Sequence, residues 1–405
     1  MTTLARLGRP SGDELGRAQA TGAAGKGWVL WFGELRRLPR ELKTKAKRGK
    51  HTNTHTYTQR VVRTIRANAV ALSGIVYLFI AMRPMILKGH ERPLTMVKFN
   101  REGDLLFTAA KDKVCNVFFS STGERIGTYV GHNGSIWGMD INWDSTRLLT
   151  GSADATAKLW DAASGTCLQT WEYQAPIRAV AFGPDEQVMS VSQVKYKQEE
   201  VKVQVSRISE PNAVAGGASP MEITGFKENV VRILWYPTGE FFLAASEDGS
   251  VSKYDAETGS LIHRAQLHTE KIHDMQWGNM YAHFITASTD MTAKLVDVRS
   301  MEVLKVYKKE TPVYSASISP LLPHVLLGGG QAADQVTTTS AARGGFEAIL
   351  YHVAYQTELG RVRGHFGPIN TLSFSPNGKQ FASGAEEGYV RLHTFDPEYF
   401  NRAYE

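Results

Sequence analysis

The sequence predicts an all-β fold, a closed seven-bladed β-propeller over residues 82–396, preceded by a basic extension and followed by a short tail. Three observations predict it. An apolar residue opening a short alternating segment recurs at Leu94, Ile136, Ile177, Val230, Ile272, Val313 and Ile369. Four of the six separations are 41 or 42 residues, the length of one four-stranded blade, and the other two are 53 and 56, blades with insertions. Finally, residues 85–88 stand before Gly89-His90 as residues 128–130 stand before Gly131-His132, which makes them an outer strand with no blade in front of them.

The extension, residues 1–81, shows no repeat. Residues 1–82 hold 15 Lys/Arg against 4 Asp/Glu, and residues 83–405 hold 31 against 36, so the net charge of +6 belongs to the leader. The ring is mildly acidic. It lacks the excess of cations that neutralises phosphates, so no sequence-specific nucleic-acid binding is expected of it. Residues 67–82 are an apolar run behind many Arg and Lys, in the manner of a signal anchor. Sixteen residues fall short of the roughly 20 that span a bilayer, and Asn68 and Ser73 dilute them, so membrane insertion is not expected. His51 and His55 lie four apart without carboxylates or thiols, too little for a metal site. The extension is read as disordered or non-native, and dispensable to the ring.

The second unit shows the internal syntax: a strand at Ile136–Ile141, a turn over 142–146, a strand at Arg147–Ser152, a tight turn, and a strand ending at Trp160. The seventh repeats it, with Ser375-Pro376-Asn377-Gly378-Lys379 as the first turn and Glu386-Glu387-Gly388 as the second. Gly, Asn, Asp and Pro stand where a turn needs a positive or a fixed φ. Unit seven ends after its third strand. Residues 85–88 are therefore predicted to complete it, pairing two edges that would otherwise invite aggregation.

Polar residues recur with the same period. Unit two has His132, Ser152, Asp154 and Trp160-Asp161, a set that resembles the WD-repeat family. The resemblance implies a structural hydrogen-bonded tetrad of His132, Ser152, Asp154 and Trp160. Other units keep parts of it: His90 and Asp112 with Phe118; Ser246 and Asp248 with Tyr254; His268, Ser288 and Asp290 with Val296; and His365 with Glu387 and His393.

Catalytic signatures are missing. There is no GxxxxGK, GxGxxG, HExxH or GxSxG, and neither cofactor nor metal is expected. Gly329-Gly330-Gln331 matches the tripeptide of peptide-release factors, but it follows a strand and opens a blade turn, where glycines normally serve the backbone. Cys115 and Cys167 have no metal or disulfide spacing and are read as buried small hydrophobes in a reducing compartment. The residue after each apolar anchor falls at the mouth of the channel: Thr95, Trp137, Arg178, Val231, His273, Tyr314 and Asn370. Trp137, Arg178 and Tyr314 are of the types that dominate interface energies. They make either a contact ring or simple packing between blades.

Four stretches narrow the resemblance: residues 82–95 (MRPMILKGHERPLT), 328–331 with 336–340 (GGGQ and VTTTS), 346–348 (FEA) and 360–370 (GRVRGHFGPIN). They are similar to the i subunits of eukaryotic translation initiation factor three. That resemblance implies a cytoplasmic, non-catalytic scaffold subunit that supports recruitment of mRNA and initiator tRNA to the small ribosomal subunit. It also implies contacts with the g subunit and a docked helix of the b subunit. On that reading Tyr254, Asp255, His273 and Asp274 converge to receive a basic helix face. The alternative is a WD-repeat adaptor in receptor or kinase signalling, disfavoured by the GGGQ and VTTTS stretches.

Overall fold

A computed structural model describes residues 83–401, apart from 187, 198–199, 209–219 and 332–344. The expectations for the leader, including residues 67–82, His51 and His55, and the VTTTS stretch lie outside the described residues. Seven antiparallel four-stranded sheets make the ring. Each innermost strand opens on one of the seven apolar anchors: Leu94–Phe99, Ile136–Ile141, Ile177–Phe182, Val230–Trp235, Ile272–Trp277, Val313–Ile318 and Ile369–Phe374. The strands of a blade are lettered a to d from channel to rim. Because they alternate in direction, d–a connections and b–c turns share the upper face, and a–b and c–d turns share the lower face.

Ring closure follows the sequence. Arg83–Leu87 pairs antiparallel with Val390–Thr394 and is strand d of blade seven. The core is divided as a ring requires. Among the described residues there are seven buried apolar clusters, each built from two neighbouring blades; Leu94, Val97 and Phe99 of blade one, for example, pack on Ala382, Val390 and Leu392 of blade seven. Period-two alternation supplies the inward faces. The turns need particular backbones at two revealing positions. Gly378, at φ +64°, would place a Cβ 2.7 Å from Leu321 Cγ, and Gly249, at φ +85°, would place one 2.3 Å from the His268 carbonyl oxygen.

One expectation changes. Cys115 is buried, but Cys167 opens a strand d and is exposed, so only the first is a core hydrophobe. Within the tail, Pro397–Phe400 forms a helical turn: Tyr399 is buried, stacks on Phe395 at 4.1 Å, and its hydroxyl lies 2.6 Å from His324 Nδ1.

Candidate functional site: relays, channel and the two faces

Blade two holds a complete polar relay. Trp160 Nε1 donates to Thr150 Oγ1 (2.9 Å), Thr150 Oγ1 lies 2.7 Å from His132 Nε2, and His132 Nδ1 lies 3.0 Å from Asp154 Oδ2. The Asp154 carboxylate can only accept, so Nδ1 of a neutral ring carries the proton towards it, and the Thr150 hydroxyl, which accepts the indole N–H, donates to Nε2. Burial lowers the pKa of His132 despite the Asp154 carboxylate beside it, which keeps the ring neutral. The predicted hydroxyl is therefore corrected from Ser152 to Thr150. Ser152 Oγ instead accepts the Asp154 backbone N–H at 3.2 Å. Residues 150 and 152 of one strand face the same side, so alternation could not separate them.

The same geometry recurs in three more blades, and a spacing in the sequence would have revealed it. The hydroxyl lies 18 residues after the histidine and the acid 22 after it: His90, Thr108, Asp112; His268, Thr286, Asp290; His365, Ser383, Glu387. Both ring nitrogens of all four histidines are thus engaged. Ser288, like Ser152, stands outside its relay; its hydroxyl donates to the Glu270 carbonyl.

Of the four relays, that of blade two alone ends on Trp; blades one and five have Phe118 and Val296 at that place, and blade seven has His393. His393 occupies the place of Trp160, stacks on Phe381 at 4.5 Å, and its buried Nδ1 has no hydrogen-bond partner. Burial lowers its pKa from 6.5 to about 3. Below pH 6.5 the unfolded chain takes up this proton while the folded chain resists it. Stability is therefore fully present above about pH 6.5 and is lost as pH falls, by about 3 kcal/mol at pH 4 from this group. His393→Phe should flatten the low-pH side of a melting-temperature profile. Parallel profiles for the variant and the parent would refute the assignment.

At the upper mouth the seven residues after the anchors have a common origin. In every blade the a–b pairing slips between the first and third residues of strand a, as between Ile136 and Gly138. The second residue is thus the extra residue of a β-bulge, which re-aims its side chain. These side chains join neighbouring blades. Arg178 sits 5.4 Å from the Trp137 ring centre and 3.8 Å from Glu247, His273 meets Tyr314 edge-on at 4.8 Å, and Asn370 Nδ2 donates to the Leu94 carbonyl. Burial lowers the His273 pKa to about 4, so the ring is neutral.

Below them a polar plug crosses the channel. Asp274 accepts from Arg232 Nε (2.9 Å), Ser315 Oγ (2.5 Å), Gln276 Nε2 (2.8 Å) and the Met275 N–H (3.0 Å), and Gln276 also donates to the Leu372 carbonyl. One carboxylate thereby ties blades four to seven. Lys98 pairs with Asp140 in a second link.

The predicted convergence of Tyr254, Asp255, His273 and Asp274 does not occur. Tyr254 is buried between blades three and four, and Asp255 ends strand c on the lower face. There its carboxylate accepts the Glu257 and Thr258 N–H groups and the Thr258 hydroxyl, which hold its pKa down. His273 belongs to the upper mouth, and Asp274 is 4% exposed inside the channel. Asp161 and Asp297 hold their own c–d turns as Asp255 does. The recurring signal is Asp followed three residues later by Ser or Thr, a side-chain-capped turn.

The glycines before Gln331 also have a packing cause. A Cβ on Gly329 would lie 2.1 Å from the Pro312 carbonyl oxygen, and one on Gly328 would lie 2.7 Å from Leu372 Cδ1.

Comparison with known proteins agrees with this architecture. The family model described as EIF3I matches residues 82–405. Eukaryotic translation initiation factor 3 subunit I of Xenopus tropicalis is 44% identical over 324 residues, 80% of this chain and all of that protein. The protein of that name from Pyricularia oryzae is 47% identical over 327 residues, 80% of this chain and 96% of its own length. That from Danio rerio is 42% identical over 320 residues, 79% of this chain and 98% of its own length. With the whole ring matched in this way, the chain belongs to the family of eukaryotic translation initiation factor 3 subunit I.

Proposed function

We propose that this protein is a non-catalytic scaffold subunit of translation initiation factor three. On this reading it binds segments of the b and g subunits and, within the cytoplasmic assembly, supports recruitment of mRNA and initiator tRNA to the small ribosomal subunit. The observation that carries the reading is the similarity of residues 82–405 to proteins named as subunit I of that factor. The relay histidines support the absence of catalysis, since each already spends both nitrogens on structure. No helix among the described residues is long and apolar enough to cross a membrane.

The lower face of blades four and five supports docking of an apolar helix face. Leu261 and Ile262 open strand d of blade four, and Val303 and Leu304 open that of blade five, all exposed. Met280, in the a–b turn of blade five, is 91% exposed and held at φ 58°. Large apolar side chains on successive blades of one face suit the helix-in-groove mode.

The test is affinity purification from cells. The parent chain should recover the other subunits of the factor together with ribosomal proteins. Met280→Glu with Leu304→Glu should reduce recovery of the b subunit roughly tenfold while leaving the melting temperature unchanged. Recovery of receptors or kinases without subunits of the factor would favour the signalling adaptor. Undiminished b-subunit recovery by the folded variant would remove the lower-face assignment.

A further inference from the structure

The channel opens on the lower face as a bowl of about 860 Å³ lined by Trp143, Trp235, Tyr236 and Trp277 among others, with Arg232 and Asp274 at its depth. That volume lies within the roughly 300–1,000 Å³ of typical ligand sites. Neither Met280 nor Leu304 lines it. Asn279 and Tyr281, on either side of Met280, do line it, so the strip borders the bowl at that turn, but the case for the bowl does not depend on the docking reading above.

Charge selects the occupant. The a–b turns of blades one to four carry Glu102, Asp104, Asp144, Asp185, Glu186 and Glu240 against Arg101, with Arg147 at the start of a strand, and the other cations lining the bowl, Lys98 and Arg232, are already paired with Asp140 and Asp274. Four of these carboxylates take hydrogen bonds from neutral donors. Asn100 Nδ2 donates to Asp104 (2.7 Å), Ser145 Oγ to Glu102 (3.2 Å), Thr146 Oγ1 to Asp144 (2.6 Å), and the Trp143 N–H to Glu186 (2.6 Å). Amide and hydroxyl donors fix a carboxylate in place without cancelling its charge. The chain also displays how a cation is received here. The Arg101 guanidinium lies 3.7 Å over the Trp143 ring, which remains 56% exposed.

We propose that this bowl is a docking site for an extended basic peptide segment bearing an aromatic anchor. The anchor enters against Trp235 and Trp277, and flanking Lys or Arg side chains meet Glu186 in the bowl's lining and Glu102 and Asp144 on the neighbouring a–b turns of the same face. Guanidinium groups can also stack on Trp143. Nucleic acid is the wrong chemistry for this mouth, because its phosphates would face the same carboxylates.

Fluorescence polarisation with the full chain tests this, using a short labelled peptide of Lys and Arg around one central Trp. Two controls replace the Trp by Ala, or the Lys and Arg by Glu. The first peptide should bind saturably at low salt, and both controls roughly tenfold or more weakly. Glu102→Gln with Asp144→Asn and Glu186→Gln, amides that keep acceptor oxygens on the rim, should weaken binding by a similar factor and flatten its salt dependence. Trp143→Ala, at an exposed side chain, should weaken binding severalfold and serves alone if the triple variant does not fold. Leu304→Glu alone, at a residue outside the bowl's lining, should leave peptide binding unchanged, which separates this site from the proposed helix strip. No saturation up to about 1 mM peptide, equal binding of the acidic control, or unchanged affinity in the folded variants would overturn the proposal.

Discussion

Trp160→Ala is expected to lower the unfolding free energy by about 3–5 kcal/mol, the larger part from the cavity and the rest from the broken relay. Trp160 is 1% exposed, and its ring meets Tyr129 and His132 edge-on, each at 6.0 Å between centroids. Its loss removes packing on both rings and leaves Thr150 without the indole N–H. Denaturant melts would read the change as a shift in midpoint at constant slope. Trp160→Phe should cost less, because it keeps much of the volume and forfeits mainly one hydrogen bond. Thr150→Ala compared with Ser152→Ala then tests the corrected assignment. The first should destabilise by about 1–3 kcal/mol, since it strands two buried partners, and the second by clearly less. A Trp160→Ala protein melting with the parent, or a Ser152→Ala change larger than the Thr150→Ala change, would contradict the relay.

Asp274→Ala is expected to cost about 3–5 kcal/mol, the usual penalty for removing one partner of a buried ion pair. The variant strands Arg232 and takes the common acceptor away from Ser315 and Gln276, so four blades lose their shared tie. Asp274→Lys should be worse, because it adds a second buried cation beside Arg232, and little soluble protein is expected from it. Asp255→Lys, on the lower surface, should loosen one c–d turn and leave the ring folded. Scanning calorimetry of the three variants checks this order. An Asp274→Ala protein as stable as Asp255→Lys would mean that the plug is not a structural tie.

The two aspartates also show how far the sequence reaches. In the chain they look alike, acids in neighbouring blades, and charge alone recommended both as surface contacts for a basic helix. Their strand positions separate them. Asp255 ends a strand c and caps a lower turn, whereas Asp274 follows the bulge of a strand a and points into the channel. That difference was legible in part. The Asp-x-x-Ser/Thr spacing at Asp161, Asp255 and Asp297 marks turn capping, and Asp274 lacks it.

The sequence by itself determined the blade number, the inner strand of each blade and the closing strand, because these rest on local period and on turn chemistry that repeats every 41 or 42 residues. The histidine relays belong to the same class, since spacings of 18 and 22 are fixed once strand lengths are fixed. What only the tertiary structure decided is which side chains meet across blades: the Asp274 plug and the acidic aromatic bowl. The physical reason is that these contacts join residues about 40 or more positions apart. Ring curvature and the bulge, neither encoded in local periodicity, set the distances that choose between them.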